Sequence, residues 1–409
     1  MFFPGKCKFN INTQLPKIPP LLFNAGSSNT LLPQSIDVVY VKLREKIRAI
    51  CPGAGNSFSF EKSRQEISPH CVTDDVFSPG NGTVYPIAAM GCKKPAQATA
   101  VSVGECSNKH LNIQVGFNLT RGDFASTMNI CFDQSNYDAV YTIFKLTPAI
   151  IGRQHNITRP EFNPSTFYGN IKVKDLYVRK NQRNTIAKLL GSQELAEKYI
   201  KDDNLYFLAR GHLAAKADFV YGAEQRSTFF YMNAAPQWQI FNAGNWEKLE
   251  TDVRNFAANR TSELIVITGI WGTSTLPDEK GKLIELYLYA DENNNRGIRV
   301  PAYYWKVLYD PSTKEGAAFI GTNNPYLKEI TDEHVFCTDI CENFKWLTWD
   351  QHNIKRGYSF CCSMDEFRKV VTTVPDFNVT GIFKETGKFY RARENVGDWW
   401  KEEDTEGPN

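Results

Sequence analysis

A chain of 409 residues, 42% hydrophobic and 22% charged, is too long for one small core and too apolar for wholesale disorder, so two or three packed units are expected. Its formal net charge is only +2, which excludes bulk attraction to nucleic acid and leaves local basic patches as the way to bind it. No run of about 18 apolar residues occurs, so no membrane-spanning helix is expected.

The chain opens Met1-Phe2-Phe3-Pro4 without a long apolar run, and is read as a mature chain whose signal peptide has been removed. Residues 1–131 hold Cys7, Cys51, Cys71, Cys92, Cys106 and Cys131, and the sequence does not choose among their pairings. Short strand-like runs lie between them: Ile36 to Val41, Thr83 to Ala88, Leu111 to Phe117 and Thr127 to Cys131. Clusters of proline and glycine separate the runs, so a small disulfide-stapled β-rich domain is expected over 1–131. Ten cysteines and sequons at Asn81, Asn118, Asn156, Asn259 and Asn378 favour an oxidising, extracellular setting. His70 and His110 are isolated and read as structural or surface histidines.

A longer α+β region is expected over 132–409. Val140 to Leu146 is a strand candidate, and the stretch to Gly169 is loop-like. Lys172, Lys174, Arg179, Lys180 and Arg183 follow, opposed in that segment only by Asp175. They are either a track for phosphates or one solvated helix face, since Asn184 to Ile200 has helical periodicity.

The stretch Tyr206 to Arg254 is the most informative. Strands are expected near Leu205 to Leu208, ending at Arg210-Gly211-His212, and over Ser227 to Met232. A polar loop then leads to a helix whose Trp246, Leu249, Val253 and Phe256 form one apolar stripe, with Asn242 and Asn245 as candidate N-caps. Glu250 and Arg254 stand at i and i+4 on one face. A histidine base, oxygen ligands for a hard cation and an arginine for anionic oxygens suit phosphodiester cleavage.

Beyond it, Glu263 to Ile270, Ile284 to Ala290, Val300 to Leu308 and Ala317 to Gly321 read as strands of a sheet covered on both faces. Cys337, Cys341, Cys361 and Cys362 suit two disulfides closing a loop; a shared zinc is the alternative, disfavoured because adjacent cysteines point apart. The charged tail Lys401 to Asn409 is expected to fray.

The central stretch resembles the ββα-metal site of the DNA/RNA non-specific endonucleases. The resemblance rests on the RGH triplet, Asn233 before the APQ triplet, Asn242 before AGNW, and LETDVR on the helix. The steps of 21 residues from His212 to Asn233, nine to Asn242, eight to Glu250 and four to Arg254 also match. The cysteine pattern is similar to a secreted arthropod branch of crustacean duplex-specific nucleases, insect double-stranded ribonucleases and salivary endonucleases of blood-feeding flies.

This resemblance implies an α+β, ββα-metal nuclease fold with a central mixed sheet flanked by helices, preceded by the small β domain. It implies secretion into saliva or digestive fluid. It implies His212 as general base, Asn242 as direct ligand of one Mg²⁺ ion (Mn²⁺ able to substitute), and Glu250 as holder of metal-bound water. Arg210 and Arg254 would bind phosphate oxygens, and Asn233 would orient the His212 loop or metal waters. The substrates would be DNA and RNA, in duplex form, cut to leave 5′-phosphate ends. One departure stands out: the family's proline three residues after the histidine is Ala215 here. That change keeps open a protein on the same fold that binds nucleic acid with weak residual nuclease activity.

Overall fold

The structure, a computed structural model, describes residues 5–384 other than Asn81 and Asn294. The expected fraying tail and the Asn81 sequon lie outside the described residues.

The centre is one eight-stranded sheet. In spatial order its strands are Ser359–Cys362, Glu315–Thr322, Tyr303–Asp310, Leu264–Trp271, Asp138–Leu146, Phe124–Asp133, Leu111–Asn118 and Thr99–Glu105. Every pairing in it is antiparallel, where a mixed sheet was expected. Short reversals such as the one between Asp133 and Asp138 join neighbouring strands, and such turns produce antiparallel pairs. The middle strands are buried on both faces, which explains their near-continuous apolar runs. Trp305, Val307 and Ile320 pack toward the short helix Met364–Val370, with Phe367 5.4 Å from Trp305. Tyr304, Leu308 and Phe319 face the opposite side, where the functional elements lie.

Those elements are a hairpin and a helix. Leu208–His212 pairs antiparallel with Ala234–Trp238, and the helix Glu247–Ala258 follows. The second strand is therefore not at Ser227 to Met232. That stretch ends the helix Gly222–Ser227 and continues as a 3-10 turn over Tyr231–Asn233. Its aromatic residues are there for burial, and aromatic content alone does not distinguish a strand from a packed turn. The helical pattern of 184–200 is two helices, Arg179–Leu190 and Gln193–Tyr199, broken where Gly191 takes φ 71°.

Before the sheet, residues up to Pro86 form small sheets closed by Cys7–Cys71 and Cys51–Cys92. The third N-terminal disulfide, Cys106–Cys131, lies within the large sheet. The division expected after Cys131 thus falls inside the strand Phe124–Asp133, and we propose a division near residue 98 instead. Cys337–Cys362 and Cys341–Cys361 close the C-terminal loop. None of the ten cysteines is free, so none is available to zinc, and the grouping of Asp339 with Cys341 and Cys361 is a disulfide with a neighbouring carboxylate.

Candidate active site

The hairpin is fixed to the sheet by buried polar contacts. Tyr304 Oη donates to the Ala235 carbonyl at 2.7 Å, and Asn323 accepts from the Trp238 amide at 2.9 Å. Gly211 is required by this close approach, because a side chain there would collide with Gln237 and Tyr304. Arg210 and His212 therefore leave the strand end at fixed positions.

His212 is half-buried. Its ring lies 4.9 Å from the ring of Phe162 and 4.9 Å from that of Phe229, and its Nε2 is sealed from solvent with no hydrogen-bond partner among the described residues. Burial, reinforced by the positive charges of Arg159, Arg210 and Lys216, pulls its pKa down to about 3. The imidazole is therefore neutral at neutral pH, the form a general base needs. Arg210 is exposed, its guanidinium 5.3 Å from the centre of the Phe162 ring, with no acidic partner among the described residues.

Asn233 is fully buried and holds the turn after His212. Its Oδ1 accepts from Thr142 Oγ1 and the Ala214 amide, both at 3.0 Å. Its Nδ2 donates to the Ala214 and Thr228 carbonyls at 2.9 and 3.0 Å. Every polar group of this side chain is thus committed to positioning, with no bond directed to solvent. The same turn brings Ala215 to φ −70°, within the range that a proline ring imposes, and ψ 147°, without a proline.

The helix side is arranged differently from expectation. Neither Asn242 nor Asn245 caps the helix, because helical backbone already runs through Phe241 and Asn242 and kinks at Gly244. Asn242 is half-buried; its Nδ2 donates to Gln239 Oε1 at 2.9 Å, leaving its Oδ1 without a partner among the described residues. Glu250, further along, is half-buried and makes no hydrogen bond among the described residues. Burial and the nearby Asp218 push its pKa up to about 7, against the pull of Lys306 and Arg254. An uncommitted amide oxygen and an uncommitted half-buried carboxylate fit a hard, oxygen-seeking cation such as Mg²⁺, with water as most of its ligands.

Arg254 is not available in the way its spacing suggested. It is buried, with Nη1 on Asp218 Oδ1 at 3.0 Å and Nη2 on Thr251 Oγ1 at 2.8 Å. Asp218 follows the His212 turn, so this pair ties that turn to the helix.

The basic segment is dispersed. Lys174 pairs with Glu161 at 3.2 Å, Arg183 with Asp202 at 2.6 Å, and Arg179 stacks 4.4 Å above Phe207. Of these five, Lys172 and Lys180 are exposed and have no acidic partner among the described residues.

Three further residues near the site carried no signal in the sequence. Lys306 is fully buried beneath the helix, its Nζ donating to Thr268 Oγ1 at 2.6 Å and lying 5.6 Å from the Trp246 ring. Asp218 looked like any loop acid, and Phe162 sat in a proline-containing loop far from His212 in the chain.

A strand bearing Arg210 and His212, its antiparallel partner, and a helix bearing Glu250 make a ββα arrangement on an α+β fold. The chain belongs to the DNA/RNA non-specific endonuclease family, whose model matches residues 108–367. It is similar to the salivary endonuclease of the sand fly Lutzomyia longipalpis, 30% identical over 385 residues, 92% of this chain and 85% of the relative. It is also similar to salivary protein Tsal2A of Glossina morsitans morsitans, 27% identical over 392 residues, 93% of this chain and 95% of that one. A solved structure, of the EndoG/EndoGI complex, aligns at 17% identity and TM-score 0.37 over 63% of this chain and 87% of that chain.

Proposed function

We propose that this chain is a secreted, Mg²⁺-dependent endonuclease that hydrolyses phosphodiester bonds of DNA and RNA, leaving 5′-phosphate ends. One observation carries the reading. A neutral histidine and an arginine without an acidic partner among the described residues end the hairpin, two oxygen groups with no hydrogen-bond donor among those residues lie along the adjoining helical run, and the Asp218–Arg254 pair ties the two.

In this reading His212 accepts the proton of the attacking water. Its aromatic surroundings and neighbouring cations keep it unprotonated until then. Asn233 fixes the turn behind it. Arg210 contacts phosphate oxygens by charge-assisted hydrogen bonds. Asn242 would hold the ion through Oδ1, and Glu250 would hold it through water. Bound there, the ion supplies positive charge to the phosphate and to the departing 3′ oxygen. Arg254 acts as a positioning residue, since its guanidinium is engaged by Asp218.

Secretion is supported by five disulfides and by the salivary relatives. Asn118, Asn156, Asn259 and Asn378 are all exposed, as glycan acceptors must be.

A second reading keeps the fold and the ligand but weakens the chemistry: a nucleic-acid-binding protein with residual activity. The sealed Nε2 of His212 beneath Phe162 favours it. Cleavage of plasmid DNA and duplex RNA, with Mg²⁺, with EDTA and with His212→Ala, decides between them. Fast cutting lost in both controls supports the enzyme. Binding in a gel-shift with little cutting supports the second reading, and the absence of both overturns the two together.

A further inference from the structure

The helical run entering the site has an unexplained clamp. Asn245 is fully buried, yet its side chain makes no bond within its own helix. Its Nδ2 donates to the carbonyls of Asp350 and Gly357 at 2.8 and 2.7 Å, and its Oδ1 accepts from the Asp350 amide at 2.8 Å. Its backbone amide donates to the Arg356 carbonyl at 3.2 Å. Four bonds from one residue thus hold the segment 350–357 against the kink that follows Asn242.

The packing has been made close on both sides. A Cβ on Gly244 would stand 3.0 Å from that of Arg356, and one on Gly357, at φ 89°, would collide with the Phe241 ring. The disulfide Cys341–Cys361 lies at the segment's far end. This backbone is fixed, but it displays two exposed cations, Lys355 and Arg356. Neither side chain has an acidic partner among the described residues. By contrast, Lys174 and Arg183 in the basic segment near residue 180 are paired with acids.

We propose that Lys355 and Arg356 form a contact site for the phosphate backbone of a nucleic-acid strand, held beside Asn242 by the Asn245 clamp. The inference rests on the nucleic-acid reading given above. Gly244 is two residues from Asn242, and Arg356 packs against it through its Cβ and backbone. The contact is with phosphate, so it reads charge and not base sequence, and serves DNA and RNA alike.

The test is fluorescence anisotropy of labelled duplex DNA and duplex RNA on the full chain, in EDTA to prevent cutting, across a salt series. Lys355→Ala with Arg356→Ala is expected to weaken both by ~10-fold at low salt and to reduce the salt slope by about 1 to 2. Arg356→Lys, with Lys355 intact, keeps the charge and is expected to retain the slope, which separates a phosphate contact from a structural role of the arginine. A double variant that melts like the wild type and keeps its affinity and slope overturns the site and leaves the proposed function standing. Loss of slope in Arg356→Lys as large as in the double variant also overturns it. A wild-type chain that binds neither duplex overturns both.

Discussion

Phe162 and His212 stand ring to ring at 4.9 Å, and the guanidinium of Arg210 lies 5.3 Å from the centre of the same phenylalanine ring. One aromatic side chain thus packs against both the imidazole and the guanidinium and helps to shield the imidazole from water. Truncation of Phe162 admits water to the imidazole and weakens the burial that depresses its pKa. Phe162→Ala is expected to raise the His212 pKa from about 3 toward its ordinary 6.5. An NMR titration of the ring protons reads this directly, and an unmoved midpoint would sink the assignment of Phe162 as the cover. The stability consequence has a definite sign. The folded pKa lies below the unfolded one, so the unfolded state takes up the proton first, and stability falls as pH drops from about 6.5 toward 3. The His212→Ala chain should lose less stability than the wild type over that window.

Legibility in the sequence followed how local each feature is. Arg210, His212, Glu250 and Arg254 could be placed because strand end and helix face are set by residues within a few positions. The second hairpin strand was misplaced because the aromatic run 229–231 reports burial, and burial arises equally in a packed turn. Lys306 could not be seen, since a lone lysine in a strand reads as a solvent-facing position. Its burial comes from a register that sets it opposite Thr268, under a helix distant in sequence. The same holds for the Asp218–Arg254 pair: the i,i+4 spacing offered Glu250 as partner, and the fold supplied a better-placed acid from another segment.

Ala215 replaces a proline without abandoning its geometry. Its φ of −70° lies within the range proline permits, and Asn233 fixes the preceding residue by two bonds. Restoring the proline removes freedom mainly from the unfolded chain. Ala215→Pro is expected to stabilise the protein by about 0.4–1 kcal/mol with little change in cleavage rate. Urea denaturation measures the first and a plasmid assay the second. A large gain in rate would mean instead that the alanine leaves the His212 turn loose.

Arg254 and Asp218 are both nearly inaccessible to water, so removal of one leaves a buried charge without its partner. Arg254→Ala is expected to cost about 3–5 kcal/mol of stability, far above the effect of losing an exposed helix pair. Asp218→Asn combined with Arg254→Met should recover part of that loss, because no lone charge then remains. A melting temperature unchanged in Arg254→Ala, with only substrate affinity reduced, would return this arginine to the role of a phosphate contact.

Glu250 offers a test of the metal site that needs no substrate. Its folded pKa of about 7 lies above the ordinary carboxylate value of 4.5, because burial and Asp218 disfavour the anion. Without a cation this group therefore lowers stability as pH rises from about 4.5 through 7, and the penalty is complete above that. Glu250→Gln carries no charge and escapes it. In EDTA the variant should melt higher than the wild type at alkaline pH and equally at acidic pH. Mg²⁺ should raise the wild-type melting temperature at alkaline pH, since an ion that binds the folded anion stabilises it by mass action. The variant should respond weakly or not at all. An equal Mg²⁺ response in both chains would remove Glu250 from the ion's surroundings and leave Asn242 without its expected companion.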